Sequence, residues 1–440
     1  DIIELTDGNI LIAGIYADTS TNNNDALLLK IDTNGVVIWS KTYGETQGNE
    51  AFLSVIEDGG YLYSTGYSSS YTSDTVSDVY LVKTDLDGNI SWSKTYGEDG
   101  CAGAYCGDIG YKIIKEAPNS FIISGRFASN GSNLMAGYVL RVDNSGLLLN
   151  DYIIDGVGSE WLTNVSVAQN GDLLLVGTNK VGSWEPWLLR MQQNGTTVFN
   201  KGYGTVTNFN GASDLVEFNN ELYFLSDKAA NICLTKLNAA GDTLFVKEFG
   251  ESGSSSSKDI LLSEDNNLYI LGMLGNLTLL MKTDLNGDTL WTNYYQSLGS
   301  SLKLIEKDNH LYIIGGSMSN ILLMKVPSNG TSNNCYKTSS STFFTNSSDL
   351  IITNWSESNF SFTTTNTISS ITSNLAYIAD TICQTILIPG CTDSNAINFD
   401  STTTIDDGSC TYYPNLSLNN VSDSLCLGDS VIISWTGGNP

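Results

Sequence analysis

The sequence predicts an all-β chain: a seven-bladed β-propeller followed by small β-rich modules and the start of an Ig-like β-sandwich. Three observations predict it. The segment KIDTNGVVIWSKTYGE (30–45) returns almost unchanged as KTDLDGNISWSKTYGE (83–98), with thinner copies at 190–204, 236–251 and 282–296. A fixed period of some tens of residues marks an array of one supersecondary unit. Two glycines recur in each unit: one closes an apolar run, at Gly14, Gly66, Gly125, Gly177, Gly272 and Gly315 with Ser226 in the remaining copy, and one sits in a turn, at Gly35, Gly88, Gly146, Gly195, Gly241, Gly287 and Gly330. Apolar residues alternate with a period of two, and no helical period appears.

Each unit supplies four strands. The first is a run such as EAFLSVIE (50–57) or SLKLIEK (301–307), ended by a DGG-like turn, and the second is the apolar run that the first glycine closes. The third and fourth flank an Asp-Gly or Asn-Gly turn, as in DVYLVKTD, LDG, NISWSKTY, a strong hairpin signal because the turn needs positive φ. An aromatic stands four residues past the turn glycine in Trp39, Trp92, Phe199, Phe245 and Trp291, and another eight past it in Tyr43, Tyr96, Tyr203, Phe249 and Tyr295. Even spacing puts both rings on one face of the strand, where they can cover the neighbouring unit. The third copy departs, with Asn150 and Ile154 at those slots. Seven such units fill residues 1–337 as a propeller; an open β-solenoid is the rival, but its rungs are shorter and need caps.

Beyond the ring, residues 338–388 form a Ser/Thr/Asn-rich β-region that either completes blade seven or stands apart. Residues 389–413 form an acidic loop bracketed by cysteines. Residues 414–440 alternate like the opening strands of an Ig-like domain, with Trp435 nine residues after Cys426.

The net charge of -27, with only 20 Lys and Arg against 47 Asp and Glu, excludes the cationic footprint that nucleic acid or an anionic membrane surface demands. No run of about 18 apolar residues occurs, so no helix insertion into a membrane is expected. Six of the eight cysteines fall into close pairs, Cys101 with Cys106, Cys335 with Cys383 and Cys391 with Cys410, as expected where disulfides persist. Cys233 replaces an apolar residue in a strand and is expected to be a buried free thiol, while Cys426 is left over. With DIIEL beginning inside a first strand, the unpaired Cys426 leads us to expect a fragment open at both ends. In the acidic loop, Asp393, Asn395, Asn398, Asp400, Asp406 and Asp407 offer the oxygen ligands that calcium requires. The alternative is a set of Asx turns bonding their own backbone.

The DGGYLYSTG…DVYLVKTDLDGNISWSKTYGE repeat resembles propeller modules of large secreted proteins of Bacteroidetes-type bacteria, with PQQ-like or lipoprotein-type repeats. The block GCTDSNAINFDSTTTIDDGSC (390–410) is similar to a cysteine-bracketed module common in the same proteins. The resemblance implies export by the type IX route and residence outside the cell or on the surface of a Gram-negative bacterium, in an adhesin or surface-layer role.

Chemistry is harder to find. The single histidine, His310, occupies a slot that other copies fill with Asn9, Tyr61, Ser120, Asp172, Glu221 and Asn267, which is the mark of a turn position and not of a general base. The spacing Asp85, Gly88, Trp92 is longer than a sialidase Asp box, and an arginine cluster is missing. A quinone-binding propeller would carry adjacent cysteines, whereas Cys101 and Cys106 are separated, so no organic cofactor is expected. The basic slot Lys30, Lys83, Arg141, Arg190, Lys236, Lys282 and Lys325 is expected to pair with turn acids such as Asp32, Asp85, Asp143 and Asp284. Tyr71, Tyr105, Trp184 and Trp187 are candidates for contact with a glycan or protein, with inter-blade packing as the alternative. The expectation is therefore no enzyme, but an exported recognition or spacer module, with self-assembly into a filament or sheath and a glycan-active propeller enzyme as alternatives.

Overall fold

A computed structural model describes residues 1–331, apart from 19–22, 34, 45–47, 71–75, 98–106, 129–134, 155–158, 182, 204–208, 229–230, 251–254, 297, 301–302 and 318–319. Beyond these it describes 337–338, 344–346, 352–354, 370–371 and 430–434. The described residues are all β, and no helix among them is long and apolar enough to cross a membrane. Blade 1 holds Ile2–Glu4, Ile10–Asp18, Asn23–Ile31 and Val37–Tyr43; blade 2 Glu50–Asp58, Tyr61–Ser68, Asp78–Asp85 and Ile90–Tyr96; blade 3 Ile109–Ala117, Ser120–Ala128, Met135–Asp143 and Leu148–Ile154. Blade 4 holds Ser159–Val167, Leu173–Val181, Ser183–Met191 and Thr197–Tyr203; blade 5 Phe209–Phe218, Glu221–Lys228, Asn231–Leu237 and Thr243–Phe249; blade 6 Ser255–Leu262, Leu268–Leu274, Leu277–Thr283 and Thr289–Gln296. Blade 7 holds Lys303–Lys307, His310–Ser317 and Asn320–Pro327, with Ser430–Ser434 as its fourth strand. That last strand comes from the stretch read as Ig-like. Short strands from residues 337–371 add to the outer edges of blades 6, 5, 4 and 2.

Seven blades make seven apolar interfaces, which is what separates a ring from an open stack. Phe52 and Tyr80 of blade 2 pack on Trp39 and Tyr43 of blade 1, and equivalent clusters lie between each following pair. The seventh joins Tyr312, Ile314 and Leu323 of blade 7 to Ile2, Ile12 and Leu29 of blade 1. First strands touch their neighbours in an unbroken circle that includes blade 7 against blade 1, and an ion pair between Lys307 and Glu4 crosses the same seam.

Both repeated glycines have a steric cause. In blades 2 to 6 the first strand carries a register shift, such as Phe52 to Ser54 opposite Gly66 and Thr65, and Leu162 to Asn164 opposite Gly177 and Val176. At such a bulge an inner carbonyl leans over the second strand. A Cβ at Gly66, Gly125, Gly177 or Gly315 would be driven into the carbonyl oxygen of Ala51, Ile109, Trp161 or Leu298. Blade 5, where Ser226 stands in, has an additional shift between Asn210 and Ala212. The turn glycines lie at positive φ, +75° at Gly88, and face the preceding blade's aromatics. The hydroxyl of Tyr43 donates to the Gly88 carbonyl at 2.8 Å, Tyr96 to Gly146 at 2.7 Å and Tyr203 to Gly241 at 2.8 Å. Burial raises the pKa of all three phenols well above the ordinary tyrosine value. In blade 3, where the expected slots hold Asn150 and Ile154, Tyr152 covers Gly195 instead, and Asn150 donates to its hydroxyl at 2.7 Å.

The basic slot pairs differently from expectation. Lys30 meets Asp7, Arg141 Glu116, Arg190 Asp172, Lys236 Glu221 and Lys282 Asp265, all acids in or beside the turn before the second strand. The turn acids are consumed locally, Asp85 accepting from the amides of Asp87 and Asn89 and Asp143 from those of Ser145 and Leu147. The basic groups also donate to the next blade's turn: Arg141 to Gln193, Arg190 to Ala239, and Lys325 to Thr33 across the closing seam.

Substituting alanine at a repeat glycine tests this packing. By thermal or denaturant unfolding, Gly66→Ala, whose added methyl would meet the Ala51 carbonyl oxygen, should cost on the order of 3 kcal/mol through overpacking.

Candidate functional site

The bulges turn consecutive side chains of the first strands toward the axis. One position per blade shares a register, the residue opposite the one preceding the repeat glycine: Ser54 faces Thr65, Lys112 Ser124, Asn164 Val176, Asp214 Leu225, Asp259 Leu271 and Lys303 Ile314. In blade 1 it is Asp1, whose carbonyl accepts from the Ala13 amide. In ring order the axis therefore presents Asp1, Ser54, Lys112, Asn164, Asp214, Asp259 and Lys303.

These side chains bond to one another across blades. Lys303 Nζ lies 2.6 Å from Asp259 Oδ1 and 3.1 Å from Asp214 Oδ2. Asn164 donates to the other oxygen of Asp214, and the Leu304 amide donates to Asp259 Oδ2 at 2.8 Å. Asp1 Oδ2 accepts from Ser54 Oγ at 2.8 Å and from Lys112 Nζ at 3.1 Å. Ser213 Oγ donates to Ser257 Oγ at 2.9 Å beside them. The carboxylates are buried, Asp214 to 6 % and Asp259 to 5 % exposure, while the side chains of Lys303 and Lys112 keep 32 % and 25 % of their surface exposed.

Two buried carboxyls around one ammonium cannot both ionise cheaply. Burial, reinforced by the Asp214 charge, pushes Asp259 up to about 8. Burial also pushes Asp214 upward, but the Lys303 charge and hydrogen bonds outweigh it and hold Asp214 below the ordinary carboxylate value. Lys303 is raised despite its burial because both acids favour its charged form. Lys112 is lowered to about 8, first by burial and then by the like charge of Lys303. Near neutral pH the Lys303 ammonium thus sits between an ionised Asp214 and a protonated Asp259. The dyad holds one proton, and that proton can be given or taken.

A cleft of about 600 Å³ opens beside Asp1 and Lys303, between blades 7, 1 and 2, with walls that include Ile15, Leu53, Ile314 and Ile321 and with Lys258 among its polar residues.

The residues singled out from sequence lie elsewhere. Trp187 is 2 % exposed, packed between blades 3 and 4, with its indole donating to Asn200 at 2.5 Å. Trp184 is half-buried, stacked edge-on against Trp161 at 4.7 Å with Lys180 over its ring. Cys233 is a buried free thiol, its pKa raised by burial. His310 sits at the start of a strand, its Nδ1 2.8 Å from the Asp308 carbonyl. Tyr71, Tyr105, Cys101, Cys106, Cys335, Cys383, Cys391 and Cys410 lie outside the described residues, as do Asp393, Asn395, Asn398, Asp400, Asp406 and Asp407. Among the described residues, no group of three or more His, Cys, Asp or Glu gathers around a metal position. The axial ring was not singled out from sequence. Its signal is a polar residue 12 or 13 places before each repeat glycine, blurred because that spacing varies by one.

Stability against pH tests the dyad. A carboxyl whose folded pKa lies above its unfolded value stabilises fully at low pH and loses that contribution as pH rises through the folded pKa. The wild type should therefore lose stability relative to Asp259→Asn as pH rises toward and through about 8. Lys303→Met, which strands the acids, should cost about 3–5 kcal/mol at pH 7.

No family profile and no curated protein matches the chain. Solved structures do. A protein from Lactobacillus plantarum matches with a TM-score of 0.52 at 12% identity, covering 76% of this chain and 95% of that one. A putative 6-phosphogluconolactonase from Bacteroides fragilis matches with a TM-score of 0.50 at 14% identity, covering 79% and 96%. At such identity the likeness shows the fold, a seven-bladed β-propeller. It also corrects the expectation of no enzyme: a protein named as a lactonase is built on the same ring, and the axis of this chain carries a proton-sharing acid pair and two lysines. The missing histidine and arginine motifs were no ground for excluding chemistry.

Proposed function

We propose that the ring is the recognition head of an exported modular protein, held outside or on the surface of a Gram-negative cell, and that it meets a glycan or protein ligand at its axis. One observation carries this reading. Wherever the repeat serves packing it keeps nearly the same residue, glycine in the turn, an aromatic over it, a basic group beside it. At the axial register the residues are instead Asp1, Ser54, Lys112, Asn164, Asp214, Asp259 and Lys303. A position that only holds the ring together has no reason to differ between blades. Individually placed polar groups beside a concave apolar wall are the usual makings of a binding site. The acidic composition and the 390–410 block support the cellular setting.

A second reading is favoured by the Asp214–Asp259 dyad: acid–base turnover of the bound ligand. Both acids bond one ammonium, a closer arrangement than the separated carboxyls of inverting glycoside hydrolysis, which span about 6.5–9.5 Å.

A glycan and peptide array, run with calcium and with chelator, tests the first reading. Asn164→Leu is expected to weaken the captured ligand at least tenfold while Trp184→Ala leaves it unchanged; the reverse pattern would move the site to the blade 4 rim. Turnover that vanishes in both Asp214→Asn and Asp259→Asn would establish the second.

A further inference from the structure

We propose that Lys112 is a nucleophilic amine of the axial site and captures a carbonyl compound, an aldehyde or ketone, as a Schiff base. This rests on the reading that the axis admits a ligand, and goes further by naming the bond formed there.

The two axial lysines are differently placed. Lys303 lies between two carboxylates at 2.6 and 3.1 Å and is locked as an ammonium. Lys112 pairs with Asp1 Oδ2 at 3.1 Å, and Ser54 already takes a share of that oxygen at 2.8 Å. A quarter of the Lys112 side-chain surface is exposed. The groups that act on it are Asp1 from blade 1, Asp214 and Asp259 from blades 5 and 6, and Lys303 from blade 7, with the neutral Ser54 of blade 2 alongside. The Lys303 charge and burial both favour the neutral amine, lowering the Lys112 pKa to about 8, whereas Asp214 and Asp259 pull the other way. A desolvated lysine beside a second cation is one of the recognised ways to make an amine nucleophilic near neutral pH.

The step balances without an oxidant. The Nζ lone pair forms a bond to the carbonyl carbon as the C=O π pair moves to oxygen, which takes up a proton while the nitrogen loses one. Asp1, bonded to Nζ, can accept that proton. The hydroxyl then leaves as water with a second proton as C=N forms, and the protonated carboxyl of Asp259 is the acid the cluster holds for it. The product at that point is the iminium, still carrying one N–H, beside an Asp259 carboxylate; return of that proton to Asp259 leaves amine and carbonyl converted to imine and water.

Two reagents on the intact protein test this, read by peptide mass spectrometry: limiting N-hydroxysuccinimidyl acetate, and glycolaldehyde with cyanoborohydride. At pH 8 the free-amine fraction of Lys112 is about a hundredfold that of an ordinary lysine, so Lys112 should be acetylated at least about tenfold faster than surface lysines even with the lower nucleophilicity of a less basic amine. Glycolaldehyde should leave a reduced adduct at Lys112 that is lost in Lys112→Arg. Lys303→Met combined with Asp259→Asn, which removes the neighbouring cation and leaves Asp214 charged, should slow Lys112 acetylation at pH 8. Fast acetylation without an aldehyde adduct overturns the Schiff-base proposal and leaves the open axis standing. Neither modification, in protein shown folded by circular dichroism, overturns both.

Discussion

The contact on which the rest depends is the approach of an inner-strand carbonyl to the repeat glycine of the second strand. It leaves no room for a Cβ at Gly66, Gly125 or Gly177, and it is the partner of the bulge that kinks the first strands of blades 2 to 6. The bulge in turn re-aims neighbouring side chains toward the axis. A steric constraint repeated through blades 2 to 6 thus sets equivalent inward positions, joined at the same register by Asp1 and Lys303 of blades 1 and 7, and the outer repeat elements, tyrosine on turn carbonyl and basic group on the next turn, hold those positions in register.

What fills the axis is set by electrostatics. Five ionisable groups share a space with little access to bulk water, so uncompensated charge there is costly. The cluster relieves this by leaving Asp259 protonated against Asp214 and Lys303, and by depressing Lys112. The same compromise that makes the plug tolerable leaves a transferable proton on Asp259 and an amine at Lys112 that gives up its proton near pH 8. Groups poised in this way cluster at functional sites more often than at purely structural ones.

The ring was legible from sequence because its determinants are local and repeated: turn glycines with positive φ, Tyr43 and its counterparts eight residues on, and period-two alternation. Blade 3 departs from the pattern because Asn150 and Ile154 hold the expected slots; its aromatic is Tyr152, which still reaches Gly195. The pairing of the basic slot was misread for a physical reason. Asp85 and Asp143 are close in sequence to Lys83 and Arg141, but their oxygens are already satisfied by backbone amides of their own turns. The axial site was illegible because its members are separated by some fifty residues each, and only strand register brings them level. Trp187, conspicuous in sequence, is spent on packing.

The most direct test is the titration of the Asp214 and Asp259 side-chain carboxyls, followed by carbon-detected NMR on aspartate-labelled protein. One carboxyl of the pair is expected to keep its proton until about pH 8 while the other stays ionised well below the usual aspartate range. Two carboxyls that both titrate as ordinary aspartates, near pH 3.9, would contradict the shared-proton axis.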